Sequence, residues 1–278
     1  MDVIDDAMRA NSESESVILV IGRSGAGKTT FIDACTSEQY AENFRAHSNE
    51  SHRSNTYYFD SRRMGRYCFF QEEPSFLENP VGSYNLFLRF TEFLLSEACE
   101  RVSGIVYVLS HEQETIRQQQ LPATIRYSAL KSHLKFAKSF IGARSPNSAI
   151  LAKNRLPIGP QAAAMSQAMD STWREFFGNQ SLGTKEDHSD EVVEAIVNSS
   201  EHELQLYTEV YGRARRQLRD TELGRLFTKQ LDEWIDEAEK EKKRIKKAGG
   251  DLSDIKSKIK LLEKDRKAWK KLKCPDYS

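Results

Sequence analysis

The stretch VILVIGRSGAGKTTFI, Val17 to Ile32, governs how the rest of the chain is read. Val17 to Ile21 are five apolar, mostly β-branched residues, the pattern of a buried strand. Gly22-Arg23-Ser24-Gly25-Ala26-Gly27-Lys28-Thr29 then matches G-x-x-x-x-G-K-[ST], and Thr30 to Cys35 can continue as a helix. The glycines let the backbone curl so that successive N–H groups point at phosphate oxygens, and the helix adds its positive end. In such a loop Lys28 reaches the β- and γ-phosphates and the Thr29 hydroxyl sits on Mg²⁺. The expected nucleotide-binding set is therefore Gly22, Arg23, Ser24, Gly25, Ala26, Gly27, Lys28, Thr29 and Thr30. A Gly-rich turn before an ordinary helix is the plainer alternative, but strand, loop and helix occur in the order a phosphate site needs.

Working outward, the 278 residues are 38% hydrophobic and 29% charged, enough for one α/β domain with a sizeable core plus an appendage. The 41 Lys and Arg balance 41 Asp and Glu, so no global charge draws the chain to nucleic acid or to an anionic membrane, and no nucleic acid is expected as a partner. Cys35, Cys68, Cys99 and Cys274 are widely spread and form no metal-ligand pair, which suits free thiols in a reducing compartment. The opening MDVIDDAMRANSESES has neither the basic nor the apolar region of a secretory leader. No apolar run is long enough to span a bilayer. A cytoplasmic location is the expectation.

Residues 1–15 read as disordered and 16–189 as an α/β nucleotide-binding domain. Phe59, ending NTYYF, and RYCFF flank the turn-like DSRRMG, a β-hairpin with Gly65 at its permissive position. A helix follows with Leu86, Phe90, Phe93, Leu94 and Ala98 at helical spacing. GIVYVLS (Gly104 to Ser110) is a second buried strand, and SALKSHLKFAKSFIG is a helix ended by Gly142. NSAILAK is a weaker strand and PQAAAMSQAMDSTWREFFG another helix. The alternation predicts a three-layer P-loop NTPase fold with a mostly parallel sheet and a C-terminal helical extension.

From about Asp190 to Ser278 helical periodicity takes over. Leu223, Leu226/Phe227, Gln230/Leu231, Trp234 and Ala238 form one stripe, AGG at 248–250 breaks it, and Asp251 is a candidate N-cap for the next helix. That helix carries Leu252, Ile255, Ile259, Leu262, Arg266 and Trp269 at alternating spacings of three and four. A helical hairpin folded on itself or on the nucleotide domain is preferred to an intermolecular coiled coil, because the seam is short and Gly-Gly favours antiparallel neighbours. Self-association or a protein partner through these helices remains the competing expectation. KEKKRIKK and KDRKAWKKLK, with acids interspersed, read as a solvated helix face, with a phosphate-binding patch as the weaker alternative.

The order of FFQEEPSF, VSGIVYVLS and DTELGRLFTKQL after the phosphate loop resembles fungal G-domain proteins of the translation-factor-like GTPase class, relatives of septins and immunity-associated GTPases. That resemblance implies a GTPase-like protein binding GTP or GDP with Mg²⁺. It gives Glu72 the place of the aspartate that holds Mg²⁺ through water, Thr56 that of the switch I threonine, and Lys153 that of the lysine lying on the base.

The departures are specific. Glu73 replaces a threonine and Ser75 the glycine whose N–H meets the γ-phosphate. Arg155 stands where guanine needs an acceptor, which weakens the preference for guanine and leaves ATP open. No catalytic residue is identified. The resemblance therefore implies slow hydrolysis, or hydrolysis only with a partner. A degenerate G domain serving as an interaction module, and an ATPase of another P-loop class with Glu72-Glu73 as its acid pair, are the alternatives.

Overall fold

The computed structural model describes residues 15–23, 25–36, 55–61, 66–72, 82–95, 101–110, 128–142, 149–154, 160–178, 192, 196, 202–213 and 215–272. In chain order the elements are β1 (Glu15–Gly22), α1 (Lys28–Thr36), β2 (Asn55–Ser61), β3 (Arg66–Glu72), α2 (Ser83–Leu94), β4 (Arg101–Val102), β5 (Gly104–Ser110), α3 (Ser128–Ile141), β6 (Ala149–Asn154), α4 (Pro160–Phe177), β7 (His202–Glu203), α5 (Gln205–Tyr211), a 3₁₀ turn (Leu218–Asp220), α6 (Glu222–Lys247) and α7 (Ser253–Lys271).

Five strands form one sheet in the order β2-β3-β1-β5-β6. β3, β1, β5 and β6 run parallel and β2 pairs antiparallel with β3. The near-continuous apolar runs of β1 and β5 follow from burial on both faces. Alternate residues feed two separate cores. Leu19, Ile21, Ile105, Tyr107, Leu109 and Leu151 face α2, α3, α4 and the C-terminal helices. Ile18, Val20, Val106, Val108, Ile150 and Ala152 face Phe31, Ile32 and Cys35 of α1, with Val192 and Ile196. The expected layering, helices on both faces of a mostly parallel sheet, is thus what the chain builds.

Local expectations shift at a few places. β1 begins at Glu15, which pairs with Tyr67. Asp60 and Ser61, expected in the hairpin turn, pair with Tyr67 and Arg66 as strand; Gly65 lies outside the described residues. The buried stripe of α2 is Ser83, Phe87, Phe90, Thr91 and Leu94, so Phe87 replaces Leu86 at its centre, while Leu86 and Phe93 are partly buried. Ala98 lies outside the described residues.

α6 and α7 form an antiparallel hairpin. Arg266 pairs with Asp232 at 3.0 Å, Lys258 with Glu241 at 4.0 Å, and Trp269 Nε1 donates to Thr228 Oγ1 at 2.8 Å. A Schellman motif ends α6: Gly249, at φ 70°, donates to Lys246 O, and Gly250 donates to Ile245 O. The N-cap position of α7 is Leu252 rather than Asp251, but the Asp251 carboxylate accepts from the N–H of Ser253 at 3.0 Å, so it still satisfies a first-turn donor. The hairpin lies on the α/β part through aromatic rings: Phe87 of α2 meets Phe227 and Trp269. Tyr84, one turn earlier on α2, has its pKa raised by burial and by the carboxylate of Asp265 on α7.

DTELGRLF has a structural job. Thr221 caps α6 by accepting from Gly224 N at 3.0 Å, while its hydroxyl donates to Leu218 O at 2.6 Å. A Cβ on Gly224 would sit 1.9 Å from Leu218 O, so only glycine lets the 3₁₀ turn close against the helix. No helix among the described residues is long and apolar enough to cross a membrane.

Candidate nucleotide site

β1 delivers the chain to the carboxyl edge of the parallel strands, and the loop turns there. At Gly22 an added Cβ would meet Val108 O of β5 at 2.4 Å, so the strand can exit beside β5 only without a side chain. Ala26 N donates to Arg23 O at 3.1 Å, closing the turn, and Phe31 N donates to Gly27 O at 2.8 Å, opening α1. Gly25 and Gly27 hold φ of 71° and 94°, the left-handed backbone that curls the loop. The positive end of α1 therefore faces the concavity.

Lys28 is 6% exposed. Its ammonium lies across the loop, donating to Gly22 O and Arg23 O, each at 3.1 Å. A buried cation held by two carbonyl dipoles and facing a helix start makes a site for an anion with several oxygens. Thr29 and Arg23 are partly buried, Gly25 and Thr30 are exposed, and Ala26 is buried beneath the turn. Ser24 lies outside the described residues.

Strand register brings the remaining candidates to the same edge. Glu72, the last residue of β3, pairs with Val20 of β1, two residues before the loop. Thr56 pairs with Gln71 near the start of antiparallel β2, at the same end. Lys153 pairs with Leu109 near the end of β6. With strands about 4.8 Å apart, Glu72 lies roughly one strand from the loop and Lys153 about 10 Å away on the other side. A carboxylate near the phosphates and a lysine near the base need that separation, and open α/β sheets bind ligands at this edge. Glu73, Ser75 and Arg155 lie outside the described residues.

One residue that the sequence did not single out joins the site. His133 of α3 keeps part of its surface exposed, yet burial pushes its pKa down to about 3, helped by the positive charges of Arg23 and Lys28. At neutral pH it is a neutral imidazole beside two cations. It can donate or accept one hydrogen bond there without adding charge.

The residues present fit a Mg-nucleotide. Lys28 and the loop backbone would hold the phosphates, Thr29 would offer the ion its hydroxyl, and the backbones of Thr56 and Glu72 lie at the same edge of the sheet. Mg²⁺ is usually held by one or two protein oxygens plus phosphate and water, not by an all-protein cage. Its chemistry there would be to neutralise charge on the β- and γ-oxygens.

No protein-family model matches the chain, and no curated protein does. Solved structures similar to it include Toc33 from Arabidopsis thaliana in complex with Mg²⁺ and GMPPNP, 11% identical with a TM-score of 0.48, covering 72% of this chain and 93% of that one. A dimerization-deficient mutant of Toc33 is 13% identical with a TM-score of 0.47, covering 71% and 91%. A probable GTP-binding protein engB is 15% identical with a TM-score of 0.39, covering 65% and 96%. The strand order, the antiparallel β2 and the buried Lys28 across its glycine loop carry the assignment themselves: the chain has an α/β P-loop fold.

Proposed function

We propose that the chain is a cytoplasmic nucleotide-binding protein that takes GTP or GDP, with ATP left open by Arg155, together with Mg²⁺. The observation that carries this reading is Lys28, buried and tied to Gly22 O and Arg23 O inside a loop that leads into a helix. Gly22 to Thr30 hold the phosphates, Thr29, Thr56 and Glu72 serve the metal, and Lys153 lies on the base. Hydrolysis is slow in the isolated chain. The loop, Lys28 and Mg²⁺ stabilise ground state and transition state alike, and such uniform binding favours affinity over rate. A partner or a second copy supplies the missing group, and a group arriving in trans can raise a related reaction by about 10³–10⁵.

Binding of fluorescent GTP, GDP and ATP analogues, with and without Mg²⁺, tests the reading. The expected result is Mg²⁺-dependent binding with GTP and ATP within about tenfold, because Arg155 supplies no acceptor for guanine. A preference of several thousandfold for GTP would show that another acceptor reads the base. Failure of every nucleotide to bind would leave an interaction module. A phosphate-release assay over a dilution series completes the test: fast, concentration-independent hydrolysis would show a self-sufficient enzyme.

A further inference from the structure

The neutral chain is electrically divided. Residues 240–278 carry 15 Lys and Arg against six Asp and Glu, while residues 1–239 carry 26 against 35, so +9 faces −9. The positive charge is organised. On α7, Lys256, Lys260, Lys264, Lys267 and Lys271 recur at intervals of four, four, three and four residues. At 100° per residue they fall within an arc of about 80°, along about 22 Å of helix axis. This arc lies opposite the buried Ile255, Ile259, Leu262 and Trp269. All five lysines are exposed, and among the described residues none forms an ion pair; Glu263 flanks the row, and the carboxylates of Asp251 and Asp265 feel the charges of Lys256 and Lys264. Lys243, Arg244, Lys246 and Lys247 crowd the adjoining end of α6, all exposed.

We propose that this lysine row is a docking surface for an anionic lipid bilayer, with the hairpin lying along the membrane plane. Like charges held in a row repel one another, and their proximity to an anionic plane would relieve that repulsion. A row confined to one side of a helix can present all five ammonium groups to a flat surface at once. A nucleic-acid duplex curves away from such a stripe. Helices that read duplexes also carry Arg, Asn or Gln where the base edges lie, and none of those types occurs in the row. The row and the α6 end hold no aromatic residue for stacking on single-stranded bases. The row offers no exposed apolar side chains to insert, so the contact is electrostatic and reversible. It is independent of the nucleotide reading.

The test uses the purified full chain and co-sedimentation with vesicles of phosphatidylcholine alone, or of phosphatidylcholine with about one-third phosphatidylserine. Binding is expected only to the anionic vesicles at about 0.1 M salt, and is lost near 1 M, where charge is screened within about 3 Å. Each lysine near an anionic surface contributes about a fivefold factor, so the triple variant Lys256→Gln, Lys260→Gln, Lys264→Gln should bind roughly a hundredfold more weakly. Its helical circular dichroism and melting should be unchanged, since these side chains touch no core. The control Lys131→Gln, Lys135→Gln removes two exposed lysines of α3 and should bind normally. Absence of binding to anionic vesicles, or full binding by the folded triple variant, overturns the proposal. So does tighter binding to a nucleic-acid duplex that the same triple variant abolishes, which would assign the row to nucleic acid.

Discussion

Phe87 and Phe227 lie face to face, ring centroids 3.8 Å apart and planes within 3°, with Trp269 edge-on to both. The two phenylalanines come from opposite ends of the chain, and each is fully buried. This stack joins α2 to the terminal hairpin. Phe227→Ala would leave a cavity between the two and should cost about 3–5 kcal/mol. Leu226→Ala, at a partly buried neighbour, should cost well under half of that. Urea unfolding of both variants checks the contrast, and equal losses would mean that the hairpin is not seated on Phe87.

Gly224→Ala forces a methyl group into the carbonyl of Leu218, a backbone atom that cannot swing aside. The expected loss is about 3 kcal/mol, from displacement of the 3₁₀ turn or the start of α6. Thr221→Val removes only the cap to Gly224 N and the bond to Leu218 O, and should cost about 1–2 kcal/mol. Chemical denaturation that ranked the two the other way round would place the constraint in the cap.

Lys28→Ala should remove nucleotide binding while the fold persists. The carbonyls of Gly22 and Arg23 lose a buried partner, so a modest drop in melting temperature is expected alongside. Calorimetry with GTP and Mg²⁺ measures the first effect. An unchanged affinity would show that the loop no longer serves a nucleotide.

His133 sets a pH dependence. Its folded pKa, about 3, lies below the ordinary 6.5, so between those values the unfolded chain binds a proton that the folded chain does not. Stability rises with pH across that window: it is complete above about 6.5 and falls as pH drops toward 3. At pH 5 the loss should be on the order of 2 kcal/mol relative to pH 7. His133→Gln should lose less over the same interval. Parallel unfolding curves for both proteins at pH 5 and pH 7 would show that the imidazole is not what feels the proton. A bound triphosphate offsets Arg23 and Lys28, so the His133 resonance in NMR should titrate at higher pH when nucleotide is present.

The phosphate loop was legible because its residues are contiguous: strand, glycines, Lys28 and helix follow one another in a single stretch. The hairpin was legible for a similar reason, since Leu223, Phe227, Leu231 and Trp234 repeat along one face. What escaped depends on distant partners. Leu86 and Phe93 are as apolar as Phe87, and the partners Phe136, Phe140 and Phe227, all distant in sequence, decide which side of α2 is buried. His133 sits among lysines in an unremarkable amphipathic helix, and its meaning comes from a loop more than a hundred residues earlier. The pairing of Arg101–Val102 with His202–Glu203 is too short to leave any periodicity. Thr56, Glu72 and Lys153 are an intermediate case. Motif order proposed them, and strand register puts their backbones at the edge where the loop lies.

The seat on α2 also bears on how the protein is made. Phe87 is synthesised about 140 residues before Phe227, and at translation rates of about 5–20 residues per second it waits on the order of ten seconds for its partner. Until then the apolar packing on that side of the sheet lacks part of its cover, and Phe87 has neither stacked ring nor indole edge. Nascent chains paused between these two points should therefore be the ones that ribosome-associated chaperones hold, with release timed to the emergence of α6 and α7.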